Sequence, residues 1–424
     1  MSEWQETPLS QLVTFQKGRK VDTSSHSQAG YARYLGASGI HGHSDGFAAT
    51  KFAVVAKEAD LLMLWDGERS GLVGCGQSGV VASTVCRLSP TEGIHPKFLY
   101  FALAHNFNWI QNRRTGSGVP HVPKEIGRIL RVPHPKSLRV QRRIASILTS
   151  LDTAIEKTEA LIEKHQQIKA GLMHDLFTRG VLPNGQLRLP REQAPALYRE
   201  TAIGWTPSDW DTSGLAGKAR AGVNWIRTGP FGSSLKGEHW VSRGHPVITI
   251  GALGEGEFLE PELLFVGAKD AARLIDFQLK AGDVVFSRVA DVGRSVVVRE
   301  SQAGWIMSSN LMRIAVDEGK VRADYLQMLL ASDSRIKRQI RARVNSGGRD
   351  VANSEVLNEL RFPWPPIQEQ DRIIARAQAV AQRIRSLNAG VAKANRQKLG
   401  LMQDLLTGKV PVQVDAPAAE AADA

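Results

Sequence analysis

Two stretches of the chain carry the same spacing of apolar positions. Ile373, Ala377, Val380, Ile384, Leu387, Val391, Ala394, Leu401 and Leu405 alternate four and three residues apart, apart from one skipped rung. Ile144, Leu148, Leu151, Ile155, Thr158, Ile162, His165, Leu172 and Leu176 repeat the pattern 229 positions earlier. This is a narrow heptad seam, the stripe that a partner helix covers, so the spacing predicts long helices over about 138–178 and 367–407 that pack on one another. The alternative is that each helix packs on its own domain. Ile147, Ala154, Leu161 and Ile168 add a second apolar stripe beside the first seam. Lys169 and Lys398 interrupt the seams at equivalent positions. We read them as solvated at frayed seam ends; the other reading is that they fix register. His165 reads as a core histidine, since no ligand-type residue stands at metal spacing around it.

Outside these helices the pattern changes. Val247 to Ile250 and Ser295 to Arg299 read as strands between glycine-containing turns, and Ala323 to Arg343 as helical. The helix-closing phrase Gly171-Leu172-Met173-His174-Asp175-Leu176 recurs as Gly400-Leu401-Met402-Gln403-Asp404-Leu405. Further echoes follow in one order: Arg131 to Pro135 with Arg361 to Pro365, Pro96 to Leu99 with Ala323 to Leu326, Ala82 to Leu88 with Ser308 to Ile314, and Trp4 with Trp210. A period of this length means domain duplication rather than a solenoid. The expected fold class is α+β: two mixed α/β domains separated by two long helices. The boundaries are 1–135 for the first domain, 136–180 for its helix, 181–206 for a proline-rich linker, 207–365 for the second domain, 366–410 for its helix, and 411–424 for a disordered tail.

Composition narrows the class. Hydrophobic residues make up 42% of 424, enough for globular cores. There is no apolar run long enough to span a membrane, Met1 to Glu6 lack the basic start and apolar core expected of a secretory leader, and the two cysteines, Cys75 and Cys86, suit a reducing cytoplasm. The formal charge of +12 and pI near 9.8 are the footprint of a phosphate binder.

Candidate chemistry is binding chemistry. The second domain carries Arg335, Lys337, Arg338, Arg341 and Arg343 on one helix; the matching stretch of the first ends Gln111-Asn112-Arg113-Arg114. Such side chains pair with base edges and phosphates. Gly/Ser loops follow, Gly116 to Gly118 and Ser346 to Arg349, where backbone can approach DNA closely. Lys236 and Arg349 complete the primary set, with Arg227, Arg243, Arg288, Arg294, Lys17, Arg19, Lys20, Arg33, His41 and His43 as secondary candidates. The competing reading of any one of them is a solvated charged face. Gly74-Cys75-Gly76-Gln77-Ser78-Gly79 matches a dinucleotide fingerprint, but a strand rather than a helix follows it, so it reads as a tight turn. Asp66 and Glu68 read as turn residues. We find no amino-methyltransferase motif and no Walker loop, and expect no catalytic residue, metal or cofactor.

Two similar domains, each followed by a seam-bearing helix in one basic chain, resemble the specificity subunit of type I restriction–modification systems. The resemblance covers residues 1–410. It rests on Trp4 and Trp210, Gly282-Asp283-Val284-Val285, Gly229 to Lys236, Pro365 to Gln370, and the repeated helix-closing phrase. It implies that each domain is a target recognition domain reading one half of a split, asymmetric site in double-stranded DNA. It also implies that the helices pack antiparallel and set the spacer, that two modification subunits dock on them, and that restriction subunits join some assemblies. The first half departs from the pattern at Ala59-Asp60 and Leu138 to Gln141. Two other readings are a stand-alone methyltransferase or nuclease recognition protein and a coiled-coil scaffold that does not bind DNA.

Overall fold

The structure is a computed structural model that describes residues 3–116, 118–231, 234–254, 256–344 and 351–414. It divides into two compact units, and the division runs through both long helices. One unit joins Met1–Leu161 to Leu387–Ala424; the other is Ile162–Ser386.

In the first unit, strands Val13–Lys17, Val85–Pro90, Leu61–Leu64 and Val73–Cys75 form an antiparallel sheet in that order. All four residues of Leu61–Leu64 are buried, because the strand is covered on both faces. Leu61 and Met63 point into the core that holds the helix Pro96–His105, while Leu62 and Leu64 point into a second core, as a two-residue period requires. That second core belongs to a five-stranded sheet in which Tyr31–Leu35 runs parallel to Gly79–Val81. The Gly-x-Gly-x-x-Gly stretch spans the turn between Val73–Cys75 and Gly79–Val81, as expected of a turn.

The second unit repeats this plan. Ile226–Thr228, Leu311–Ala315, Asp283–Ser287 and Ser295–Val297 take the same sheet order, and Trp240–Ile248 runs parallel to Ile306–Met307. Trp4–Pro8 pairs with Arg131–Pro135 in one unit, and Asp211–Ser213 with Phe362–Trp364 in the other. The Gly-to-Ala departure at Ala59 leaves the local turn intact. Asp60 accepts the Lys57 backbone N–H at 2.8 Å, and Asp283 accepts that of Lys280 at 2.8 Å.

The long helices are Leu138–Thr178 and Ile367–Leu405. They are antiparallel in each unit. The start of the first packs with the end of the second in one unit, where Ile144 and Leu148 share a core with Met402, Leu405 and Leu406. The end of the first packs with the start of the second in the other, where Leu176 and Phe177 share a core with Ile373 and Ala377. Ile144, Leu148, Ile155, Ile162, Leu176, Ile373, Ala377 and Leu405 are buried. Leu151, Leu172, Val380, Ile384, Leu387, Val391 and Leu401 are half-buried. Lys398 corrects the expectation of a frayed end: its ammonium lies 2.5 Å from Asp152 of the facing helix, both half-buried. Lys169 is exposed, as expected.

The repeated glutamines explain how each helix begins. Gln141 accepts the His95 backbone N–H at 2.7 Å and donates to the carbonyls of Gly93 and Pro135. Gln370 accepts from Arg322 at 2.9 Å and donates to Lys320 and Pro365. Both are fully buried, so each amide satisfies backbone groups that have no water.

The proline-rich stretch 181–206 differs from the free linker that its composition suggested. Arg188 is buried and ion-paired to the buried Glu369, which also accepts from the Val181 N–H at 2.9 Å and Trp210 Nε1 at 3.2 Å. Burial opposes the Arg188 charge, but Glu369 and Asp209 outweigh it and hold its pKa above the ordinary value. Tyr198–Thr201 and Gly204–Pro207 then form a hairpin. In the first unit Val140 stands where Glu369 does and packs against the apolar core, so the same corner is apolar there. Residues 415–424 of the expected tail lie outside the described residues.

Candidate nucleic-acid interface

In each unit the loop after the central strand is tied to the loop after the short helices by one bridge, Asp66 to His121 in the first and Val289 to Val351 in the second. The first loop of each pair turns through left-handed backbone. Gly67 (φ +104°) and Gly71 (φ +95°) do this in one unit; Ala290 (φ +60°) and Gly293 (φ +108°) do it in the other.

The first unit sorts its candidates into two groups. Gln111 donates to the Ser70 carbonyl at 2.5 Å, and Arg114 to the Glu68 carbonyl at 2.6 Å, so both shape the loop rather than project from it. Asn112 and Arg113 are exposed, and Arg113 lies 3.9 Å over the Trp109 ring, which pre-orients its guanidinium. Arg69 is not among the sequence candidates, although a basic residue between two turn glycines is a usable signal. It is exposed. Burial first, then the electrostatic effect of Arg69 and His43, pushes the His41 pKa below its ordinary value. Arg33 donates to Gln77 Oε1 at 3.2 Å and the Gly42 carbonyl at 3.0 Å. Lys17 is paired with Asp66 at 2.8 Å, whereas Arg19 and Lys20 are exposed beyond Gly18.

In the second unit, the helix Ser334–Arg343 buries Ile336 and Ile340 and turns Lys337, Arg338 and Arg341 outward. None of these three side chains has a hydrogen-bond or ion-pair partner among the described residues. Arg335 does not join them. Its guanidinium contacts Asp333 at 2.7 Å and the Phe177 carbonyl at 2.7 Å, and its side chain is 13% exposed. Asp333 precedes the helix and accepts the Arg335 N–H as its cap, which draws the arginine back. Arg343 is held by Glu359 at 3.0 Å. Arg288 and Arg294 are spent on backbone carbonyls, and Arg227 on Asp276 and the Phe277 ring. Lys236 and Arg243 are exposed. Arg349 lies outside the described residues. Gly18 and Gly229 occupy one structural position: an added Cβ would lie 2.1 Å from the Ala82 carbonyl oxygen and 2.0 Å from that of Ser308. This close approach accounts for the glycine that opens the Gly229 to Lys236 phrase.

No described helix is long and apolar enough to cross a membrane. The family model for the type I restriction modification DNA specificity domain matches twice, over residues 1–165 and 227–392. The type I restriction enzyme MjaVIII specificity subunit of Methanocaldococcus jannaschii is 24% identical over 97% of this chain and 94% of its own. The EcoBI specificity subunit of Escherichia coli is 21% identical over 84% of this chain and 74% of its own. The crystal structure of a type I restriction–modification S subunit from M. genitalium aligns with a TM-score of 0.59, 15% identity and coverage of 95% and 96%. Two matches of one family model, falling on two units that share one four-stranded sheet order, place this chain in the type I restriction–modification DNA specificity subunit family.

Proposed function

We propose that the chain is the DNA-reading, non-catalytic subunit of a cytoplasmic type I restriction–modification assembly. Each unit reads one half of a bipartite site in double-stranded DNA. The observation that supports this best is the pair of bridged loops: in both units a loop with two left-handed residues is bridged to the segment after the short helices, while the outward side chains differ. Asn112, Arg113 and Arg69 face outward in one unit; Lys337, Arg338 and Arg341 do so in the other. A constant frame with variable tips suits two readers of unlike half-sites. The long helices set the spacer and receive two modification subunits, and restriction subunits join through these. Leu161, Ile168 and Leu399 remain exposed on the helices, at 36%, 46% and 67%, as apolar contacts for those partners.

Selection of bound duplexes from a random pool, with each variant assembled with its modification subunits, tests this reading. Arg341→Ala should weaken binding by about 1–3 kcal/mol and relax one half-site if the side chain reads a base; if it holds phosphate, all sequences should weaken together. Arg113→Ala should act on the other half-site only. Selection that returns no preferred sequence for the parent chain would favour the scaffold reading. A chain that transfers methyl groups alone would favour the enzyme reading.

Matched seven-residue insertions into both long helices keep the seam in phase and add roughly 10 Å, at 1.5 Å per residue. The selected spacer should lengthen by about three base pairs at 3.4 Å each, with both half-sites unchanged. An unchanged spacer would refute the ruler role.

A further inference from the structure

The duplication supplies an internal control for one residue, the seam lysine. In the first unit Lys398 meets Asp152 across the helix pair and lies 5.9 Å from the centre of the Phe101 ring. Its counterpart in the second unit is Lys169, and the counterpart of Asp152 is Ala381. The carboxylate is missing, and Lys169 is exposed with no ion-pair or hydrogen-bond partner among the described residues. An open groove of about 950 Å³ lies there, with Lys169, Ala381, Gln378, Gln382, Arg385 and Lys337 on its walls.

The charge of this groove is unbalanced. Arg294 and Arg299, which also line it, are paired with Asp291 and Asp324. That leaves Lys169, Lys337 and Arg385 against Glu257 among its described residues. Gln378 and Gln382 add hydrogen-bonding amides. Lys337 belongs both to this groove and to the outward face of Ser334–Arg343, so the two basic surfaces are continuous.

We propose that this groove holds a backbone phosphate of the DNA whose bases the second unit reads, with Lys169 as its principal contact. The site rests on the reading given above and extends it. The long helix pair would then touch DNA in the second unit alone, since Asp152 neutralises the equivalent lysine in the first. Phosphate suits the donors: two ammonium groups, a guanidinium and two amides, with no planar slot that would select a base.

The test is binding of the selected duplex to the full chain assembled with its modification subunits, titrated over a salt series. Lys169→Ala should make the slope of log affinity against log salt shallower by about 0.9, the value for one lost phosphate contact. Ala381→Asp installs the carboxylate that the first unit already carries and should do the same, without removing any packing. Lys398→Ala should leave the slope unchanged, and none of the three should alter the selected sequence. Unchanged slopes for Lys169→Ala and Ala381→Asp, with the parent still sequence-selective, overturn the site. So does loss of the modification subunits in these two variants at unchanged slope, which would assign the groove to an acidic protein segment. A parent assembly with no sequence selectivity overturns the underlying reading, and the site with it.

Discussion

Cutting the chain after Ser386 is expected to unfold the recognition domain at the opposite end of the sequence. The first unit is discontinuous: its core includes Met402 (5% exposed), Leu405 (4%) and Leu406 (2%), packed with Ile144 and Leu148. Losing one buried leucine or methionine side chain costs about 2–5 kcal/mol. Three together reach the whole stability of a typical domain, about 5–15 kcal/mol. The cut also removes the Lys398 partner of Asp152 and the Gly408 backbone that packs on the Trp4 ring. Hydrogen exchange should show protection lost over residues 9–148 and kept over 207–386. Supplying 387–414 as a separate fragment should restore it. Protection that survives the cut without the fragment would show that the N-terminal domain folds without the distant helix.

Glu369→Ala should cost the second unit about 3–5 kcal/mol, the usual penalty for removing one partner of a buried ion pair. Arg188 is only 7% exposed and keeps Asp209 at 2.6 Å, but the N–H groups of Val181 and Trp210 lose their acceptor. A melting transition of the second unit lower by roughly 10 °C is expected, at about 2–4 °C per kcal/mol for a domain of this size. Glu369→Gln, which keeps an acceptor oxygen, should fall between. The first unit offers the mirror experiment. Val140 occupies the equivalent place against an apolar core, so Val140→Glu should destabilise that unit rather than strengthen it. A Glu369→Ala transition within 2 °C of the parent would mean that the ion pair contributes no net stability.

The helices were legible because a seam is a local pattern: residues four and three apart in sequence face one way in space. The duplication was legible for the same reason, since its echoes keep their order. Gln141 and Gln370 were visible as a repeated pair, yet their three backbone partners come from segments up to 50 residues away, so their role was not. Arg188 gave no sign at all, because Glu369 is 181 residues further on. At the interface, the basic composition of Ser334–Arg343 was plain, but which arginines turn back was not. Arg335 could have been set aside from Asp333, a capping aspartate just before the helix; Arg343 could not, as Glu359 lies 16 residues further on. Composition changes at the ends of the long helices, whereas packing changes in their middles, which is why the units divide where no sequence feature marks them.

That division also sets a timetable for synthesis. Residues up to Leu161 leave the ribosome with a hydrophobic surface whose cover, around Met402 to Leu406, has not been made. At about 5–20 residues per second the wait is roughly ten to fifty seconds. The second unit, Ile162–Ser386, is continuous and can close within that interval. The half translated first is therefore the half completed last, and during the delay its open face around Ile144 and Leu148 is where a chaperone would bind or aggregation would start.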